Sequence, residues 1–275
     1  MLKRILVGLG GTEYATAAIN QAVAIATQQK AEVTGVSILD EERLSYVGSV
    51  PLGGAHYGRE LTEHRLRAAN ERIETSIQQF EEACTAAGIR HQVLREVGEP
   101  FSLMTKQARY HDLMIFGLQS LFEFDLVPDP QDALIQLVQS GVRPLLAVSR
   151  GFYPVNKVLI AYSGSMESAK AMKHFVQMRL WPDAHVRIIS FEDGKRDADQ
   201  LLLDAVTYCR AHDLHVETER LAGSPKENLL PYAEEWGADL TVIGNSAKNL
   251  VLRRIFGETA LHAIRNANRP LFLAQ

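Results

Sequence analysis

The sequence contains two copies of one pattern. Ile5-Leu6-Val7-Gly8-Leu9-Gly10-Gly11-Thr12 aligns with Val158-Leu159-Ile160-Ala161-Tyr162-Ser163-Gly164-Ser165 at an offset of 153. Asp112-Leu113-Met114-Ile115-Phe116-Gly117 aligns with Asp239-Leu240-Thr241-Val242-Ile243-Gly244 at 127, and Arg143-Pro144-Leu145 with Arg269-Pro270-Leu271 at 126. Between these, Gly98-Glu99-Pro100 matches Gly223-Ser224-Pro225 at 125, the offset that also relates Cys84 to Cys209. Repetition of both order and spacing requires each half to build the same architecture and to bury a core of its own. The length of 275 residues suits that reading, at roughly 100 to 200 residues per domain. The expected division is 1–150 and 151–275, with Ser149-Arg150-Gly151-Phe152-Tyr153-Pro154 as linker. The falling offset means that about 28 residues of the first half have no counterpart, and Arg43 to Gly58, with Tyr46, Pro51, His56 and Tyr57, is expected to be a loop holding most of them.

Each half alternates strand and helix. Ile5 to Leu9 is a continuous apolar run, as a strand buried on both faces requires. Ala15, Ala18, Ile19, Ala22, Val23 and Ala26 then recur at helical spacing, and Ser168, Ala171, Met172, Phe175 and Val176 repeat the stripe. Thr12 and Ser165 stand where helix N-caps are wanted. Further strands are predicted at 32–39, 91–97, 113–116 and 144–148, with helices near 61–87, 101–110 and 131–140. In the second half strands are predicted at 157–162, 185–191, 215–221, 240–243 and 270–274. The fold class is therefore α/β: two tandem doubly wound domains, each a five-stranded parallel sheet flanked by helices.

Composition removes several functions. Twenty-nine basic residues against 33 acidic ones give a net charge of −4, so the chain has no overall positive field for nucleic acid. The apolar run near the N-terminus is too short for a signal-peptide core or a membrane span, and the expected compartment is the cytoplasm, with no membrane partner. Cys84 and Cys209 lack CxxC or Cys/His ligand spacing and are expected to be buried side chains, and the nine histidines form no ligand set. No metal and no catalytic residue is expected. HExxH, the full Walker sequence and a Ser/His/Asp order are absent.

In an open parallel sheet, ligands settle outside the carboxyl ends of the strands where the winding reverses, here between the first and fourth strands of each half. In the second half that places Ser163, Gly164 and Ser165 opposite Gly244, Asn245, Ala247 and Lys248, with Gly257, Glu258 and Thr259 following. Small residues there let backbone N–H groups approach an anion, beside the positive end of a helix dipole. Thr259 also fits a helix N-cap.

These residues resemble the universal stress protein family, as two tandem copies spanning essentially the whole chain. Its late motif of glycine, two residues, glycine, nine residues, glycine and serine or threonine is similar to Gly244, Ala247, Gly257, Glu258 and Thr259, the spacing kept but with alanine for one glycine and Glu258 at the serine or threonine position, followed by Thr259. The GxP turns and the RP-apolar last strands are similar as well. The resemblance implies an adenine nucleotide alpha hydrolase-like fold, a role in the stress response, ATP or a related adenine nucleotide as ligand, and pairing of domains through their last strands. An internal pseudo-dimer of Pro144 to Val148 with Pro270 to Ala274 is thus expected, and a homodimer or a protein partner is compatible with it. In nucleotide-binding members an aspartate ends the first strand, whereas this chain has Gly10 and Ser163 there.

Charge separates the halves. Residues 118–134 carry Glu123, Asp125, Asp129 and Asp132 with no lysine or arginine, while residues 245–259 carry Lys248, Arg253 and Arg254 against Glu258 alone. Like charges at contact cost on the order of 1 kcal/mol or more, so phosphate is expected in the second half only. A non-catalytic ligand-sensing or interaction module is the expected function. Two alternatives stand beside it: an adenylating enzyme, because Ser163-Gly164-Ser165-Met166-Glu167-Ser168 is similar to the SGGxDS loop of ATP pyrophosphatases, and an interaction protein with both pockets decayed.

Overall fold

The computed structural model describes residues 2–46, 55–118, 137, 144–191, 198–244 and 257–274. Contacts divide the chain into one unit of Lys3–Val142 and another of Arg143–Gln275, which also takes in Met1–Leu2. In the first unit the described order is β1 (Arg4–Gly8), α1 (Ala15–Gln29), β2 (Glu32–Leu39), α2 (Glu41–Ser45), α3 (Ala55–Ala86), β3 (His91–Val97), α4 (Pro100–Ala108) and β4 (Leu113–Gly117). Its sheet runs β3-β2-β1-β4, all parallel. The second unit has β5 (Leu145–Val148), β6 (Lys157–Ala161), α5 (Met166–Met178), β7 (His185–Phe191), α6 (Ala198–Ala211), β8 (Val216–Leu221), α7 (Pro225–Trp236), β9 (Leu240–Gly244), α8 (Glu258–Asn266) and β10 (Leu271–Ala274). Its sheet runs β5-β10-β9-β6-β7-β8, parallel except that β5 pairs antiparallel with β10. Leu146 faces Phe272 in that pair, so the last strands of the two repeats meet as expected.

The doubly wound α/β class is observed, and the strands form because their apolar runs are buried on both faces. The described β4, β5 and β10 are buried throughout, while the edge strands β3 and β8 have only half-buried and exposed positions, with Arg95, Glu217 and Arg220 exposed. On α5 the buried set is Ser168, Ala171, Met172, Phe175 and Val176, matching the predicted stripe residue for residue.

Equivalent residues do equivalent work. One carboxylate oxygen of Asp112 accepts from the backbone N–H groups of Lys3 and Arg4 at 2.8 and 2.9 Å, and one of Asp239 accepts from Asn156 and Lys157, both at 2.9 Å. Each aspartate fastens the start of its repeat's first strand, and charged acceptors of this kind are worth about 1.5–3 kcal/mol. Gly88 and Asp213 stand in the left-handed region at φ 65° and 59°, closing α3 and α6, and Gly11 and Gly164 do so at 71° and 67°. Cys84 and Cys209 are free and fully buried, with thiols pushed up to about 11 by that burial.

The predicted loop between Arg43 and Gly58 is in part helical. Asp40 caps α2, accepting from the Arg43 N–H at 3.1 Å, and Leu44 is buried. At its far side α3 begins at Ala55, and its 32 residues against 14 in α6 absorb much of the extra length. Residues 47–54, including Pro51, and most of the predicted helix 131–140 lie outside the described residues, as does most of the acidic stretch 118–134.

Candidate functional site

The winding reverses between β6 and β9 in the second unit and between β1 and β4 in the first, the strand pairs that flank the expected crevices. In the second unit Gly164 turns the chain out of β6 in a left-handed conformation, and Ser165 caps α5 by accepting from the Ser168 N–H at 3.2 Å. Three hydroxyls gather at this turn. Ser163 and Ser165 oxygens are 3.1 Å apart, Ser165 and Ser168 are 3.2 Å apart, and Ser163 and Ser168 are 3.3 Å apart. Ser168 is buried and also donates to the Ser165 carbonyl at 3.0 Å, whereas Ser163 is exposed. Backbone N–H groups converge on the same oxygens, from Ser163 to Ser168 Oγ at 3.3 Å and from Ser165 to Ser163 Oγ at 3.4 Å.

A cluster of rotatable hydroxyls and inward amides at the head of a 13-residue helix is chemically suited to an anionic oxygen, since hydroxyls turn to donate and the dipole end favours negative charge. Ser168 was legible as the first position of the helix stripe and within the SGSMES run; its place in the cluster depends on the helix turn that brings it under Ser165. The cluster is not repeated at the equivalent positions of the first unit, which hold Gly10, Thr12 and Ala15. Thr12 does not cap α1 directly: Tyr14 is the N-cap residue, and the Thr12 hydroxyl accepts from its N–H at 3.3 Å, one step ahead of the helix.

Gly244 lies against this turn. A Cβ built on it would meet the backbone of Glu167 and Ser168 at 2.5 Å, so the absent side chain lets β9 pack on the first turn of α5. Gly257, not Thr259, is the N-cap residue of α8; Thr259 follows inside the first turn, half-buried, and Glu258 is exposed with its carboxylate 3.5 Å from the Lys226 ammonium. The structure thus joins Ser163, Gly164, Ser165 and Gly244 at one strand edge and puts Gly257, Glu258 and Thr259 at the head of α8. Asn245, Ala247, Lys248, Arg253 and Arg254 lie outside the described residues. Among the described residues no group of three metal-binding side chains occurs, and no helix is long and apolar enough to cross a membrane.

Comparison with known proteins gives a consistent picture. The model of the universal stress protein family matches residues 1–117 and 190–275. Universal stress protein Slr1230 of Synechocystis is 23% identical over 138 residues, covering 50% of this chain and 48% of that protein. The match therefore spans about half the length of that relative. Universal stress protein MJ0531 of Methanocaldococcus jannaschii is 25% identical over 138 residues, which is 43% of this chain and 81% of that protein. Among solved structures, a universal stress protein from Archaeoglobus fulgidus is similar in fold at a TM-score of 0.65 and 18% identity, over 99% of this chain and 96% of that one.

Proposed function

The chain belongs to the universal stress protein family, and from that premise we propose that it is a non-catalytic, ligand-sensing module of the cytoplasm, with an adenine nucleotide such as ATP held in its second repeat. The observation that carries the reading is the hydroxyl cluster of Ser163, Ser165 and Ser168 at the β6–β9 crevice, which is not repeated at the equivalent positions of the first repeat. In this reading the N–H group and hydroxyl of Ser165 and the head of α8 receive the phosphates, with Thr259 donating its hydroxyl. Asn245 and Ala247 form wall, and Lys248, Arg253 and Arg254 balance the charge. Serine at position 163, where nucleotide-binding relatives place aspartate, supplies a neutral donor and acceptor to the adenosine side. The acidic stretch of the first repeat keeps phosphate out of its crevice.

The enzymatic alternative rests on the serine run, in which Glu167 replaces the aspartate of the SGGxDS loop. Incubation with ATP and magnesium separates the two. Intact nucleotide recovered from the protein supports the binding module; AMP and pyrophosphate released with turnover overturn it. A freshly purified sample free of nucleotide and unable to take up ATP leaves the interaction protein with decayed pockets.

A further inference from the structure

With β5 and β10 hydrogen-bonded to each other, the outer strands of the two sheets are β3 and β8. An outer strand offers a row of backbone groups to any other chain, and charge, proline or a bulge normally blunts it. β3 is not blunted. His91–Val97 holds no proline, and it pairs with β2 from Val33↔His91 to Leu39↔Val97 without a bulge. Its exposed charge, Arg95, is turned aside, because the guanidinium is paired with the Glu74 carboxylate of α3. The Val33 N–H donates to the Arg90 carbonyl and the Gly98 N–H to the Leu39 carbonyl, both at 3.0 Å, so the even-numbered residues from Arg90 to Gly98 face β2. Alternation then aims the N–H and C=O groups of His91, Val93, Arg95 and Val97 away from the sheet.

The side chains decide what fits this edge. Two copies of a strand related by a two-fold axis normal to the sheet run antiparallel, and each residue meets one of its own face. Centred on Leu94, that pairing uses the whole of β3 and sets no like charges together. Leu94 meets the Leu94 of the second copy, Gln92 meets Glu96, Val93 meets Arg95, and Val97, 63% exposed in the single chain, meets His91. The outward backbone groups fall into hydrogen-bonded pairs, Val93 with Arg95 and His91 with Val97, and Leu94 falls into the closer pair between them. A shift of the centre to Val93 sets His91 against Arg95, and a shift to Arg95 sets that residue on itself. β8 is closed to the same arrangement. Any centre from Glu217 to Arg220 puts like charges opposite: Glu217 on itself, Glu217 on Glu219, Glu219 on itself, or Arg220 on itself.

We propose that β3 is a homodimerisation edge, to which a second copy of this chain adds its own β3 antiparallel about a two-fold axis at Leu94. Each copy's β3 is used up in the pair, so the assembly closes at two chains. Sedimentation equilibrium of the full chain tests this, with far-UV circular dichroism confirming the fold of each variant. Expected is a concentration-dependent monomer–dimer equilibrium, tightened about threefold or more by Gln92→Lys, which sets an ammonium against Glu96 in two symmetric places. Leu94→Glu, which faces a carboxylate with its copy, and Val93→Pro, which removes an outward N–H that the single sheet does not use, should each weaken the dimer about tenfold or more. Oxidation of Leu94→Cys should give a covalent dimer, since the paired Cα atoms lie about 4.5 Å apart, whereas Gln92→Cys should give one only in combination with Glu96→Cys. A monomer at every concentration, a dimer indifferent to both Leu94→Glu and Val93→Pro, or ready crosslinking of Gln92→Cys alone overturns the proposal.

Discussion

Replacing Gly8 by alanine places a methyl carbon 2.4 and 2.5 Å from the Cδ1 and Cε1 atoms of Phe116, where ordinary carbon contacts are about 3.5–4.0 Å. The ring must therefore retreat by more than about 1 Å, within a core where Phe116 is 1% exposed, and overpacking of this kind costs about 1–3 kcal/mol. The second repeat shows the same site with its volumes redistributed: Ala161 pairs with Ile243 there. Phe116→Ile alone opens a void above Gly8 and costs about 1–2 kcal/mol. The Gly8→Ala/Phe116→Ile double variant transplants the second repeat's pair into the first, so its cost should fall short of the sum by about 1–3 kcal/mol. Urea unfolding followed by far-UV circular dichroism reads this directly. With a slope of about 1–3 kcal/mol per molar, Gly8→Ala shifts the midpoint by on the order of 1 M, and the double variant regains much of that at unchanged slope. Strict additivity, or a neutral Gly8→Ala, would refute the claim that the repeats solve one packing problem with two volume pairs.

Other consequences are equally direct. Burial holds the His111 imidazole below its ordinary value of 6.5, with Nδ1 at 2.8 Å from the Gln107 carbonyl and Nε2 buried without a partner. The folded state thus favours the neutral ring. Its contribution is fully present above the ordinary value and is lost as pH falls below it; urea midpoints between pH 7.5 and 5.5 should fall more steeply in the wild type than in His111→Leu, and equal slopes would contradict this. The thiols of Cys84 and Cys209, raised to about 11, should ignore a disulfide reagent in the native protein and react promptly in urea. Their stabilising preference for the neutral thiol is present below the ordinary value of 9.0 and is lost as pH rises through about 11. Asp112→Ala and Asp239→Ala should each cost about 1–3 kcal/mol in thermal or urea unfolding, since each strands two backbone donors; a large difference between them would show that the duplicated contact is not energetically duplicated.

Much of the fold was legible because burial on both faces writes itself as apolar runs such as Ile5 to Leu9, and because the second copy repeats the turn residues in register. The helix in 41–45 was hidden by its composition: it holds one buried residue, Leu44, and depends on the Asp40 cap, a contact that periodicity does not register. The antiparallel β5–β10 pairing came from family resemblance, since a short apolar run carries no sign of its partner's direction. At the crevice the serines were visible as a run, but the physical reason for Gly244 was not. Its neighbour is the backbone of Glu167 and Ser168, nearly eighty residues away in sequence, and a glycine after an apolar strand looks the same whether it admits a ligand or a helix.

Two copies of one crevice have diverged in this chain, and the stoichiometry of ATP binding measures how far. Native mass spectrometry of the full chain titrated with ATP should show one nucleotide per chain. That occupancy should disappear in Gly257→Asp, which sets a carboxylate at the head of α8, while the thermal unfolding of the variant stays close to that of the wild type. Two nucleotides per chain, none, or undiminished binding in Gly257→Asp would contradict the assignment of the second repeat as the nucleotide site.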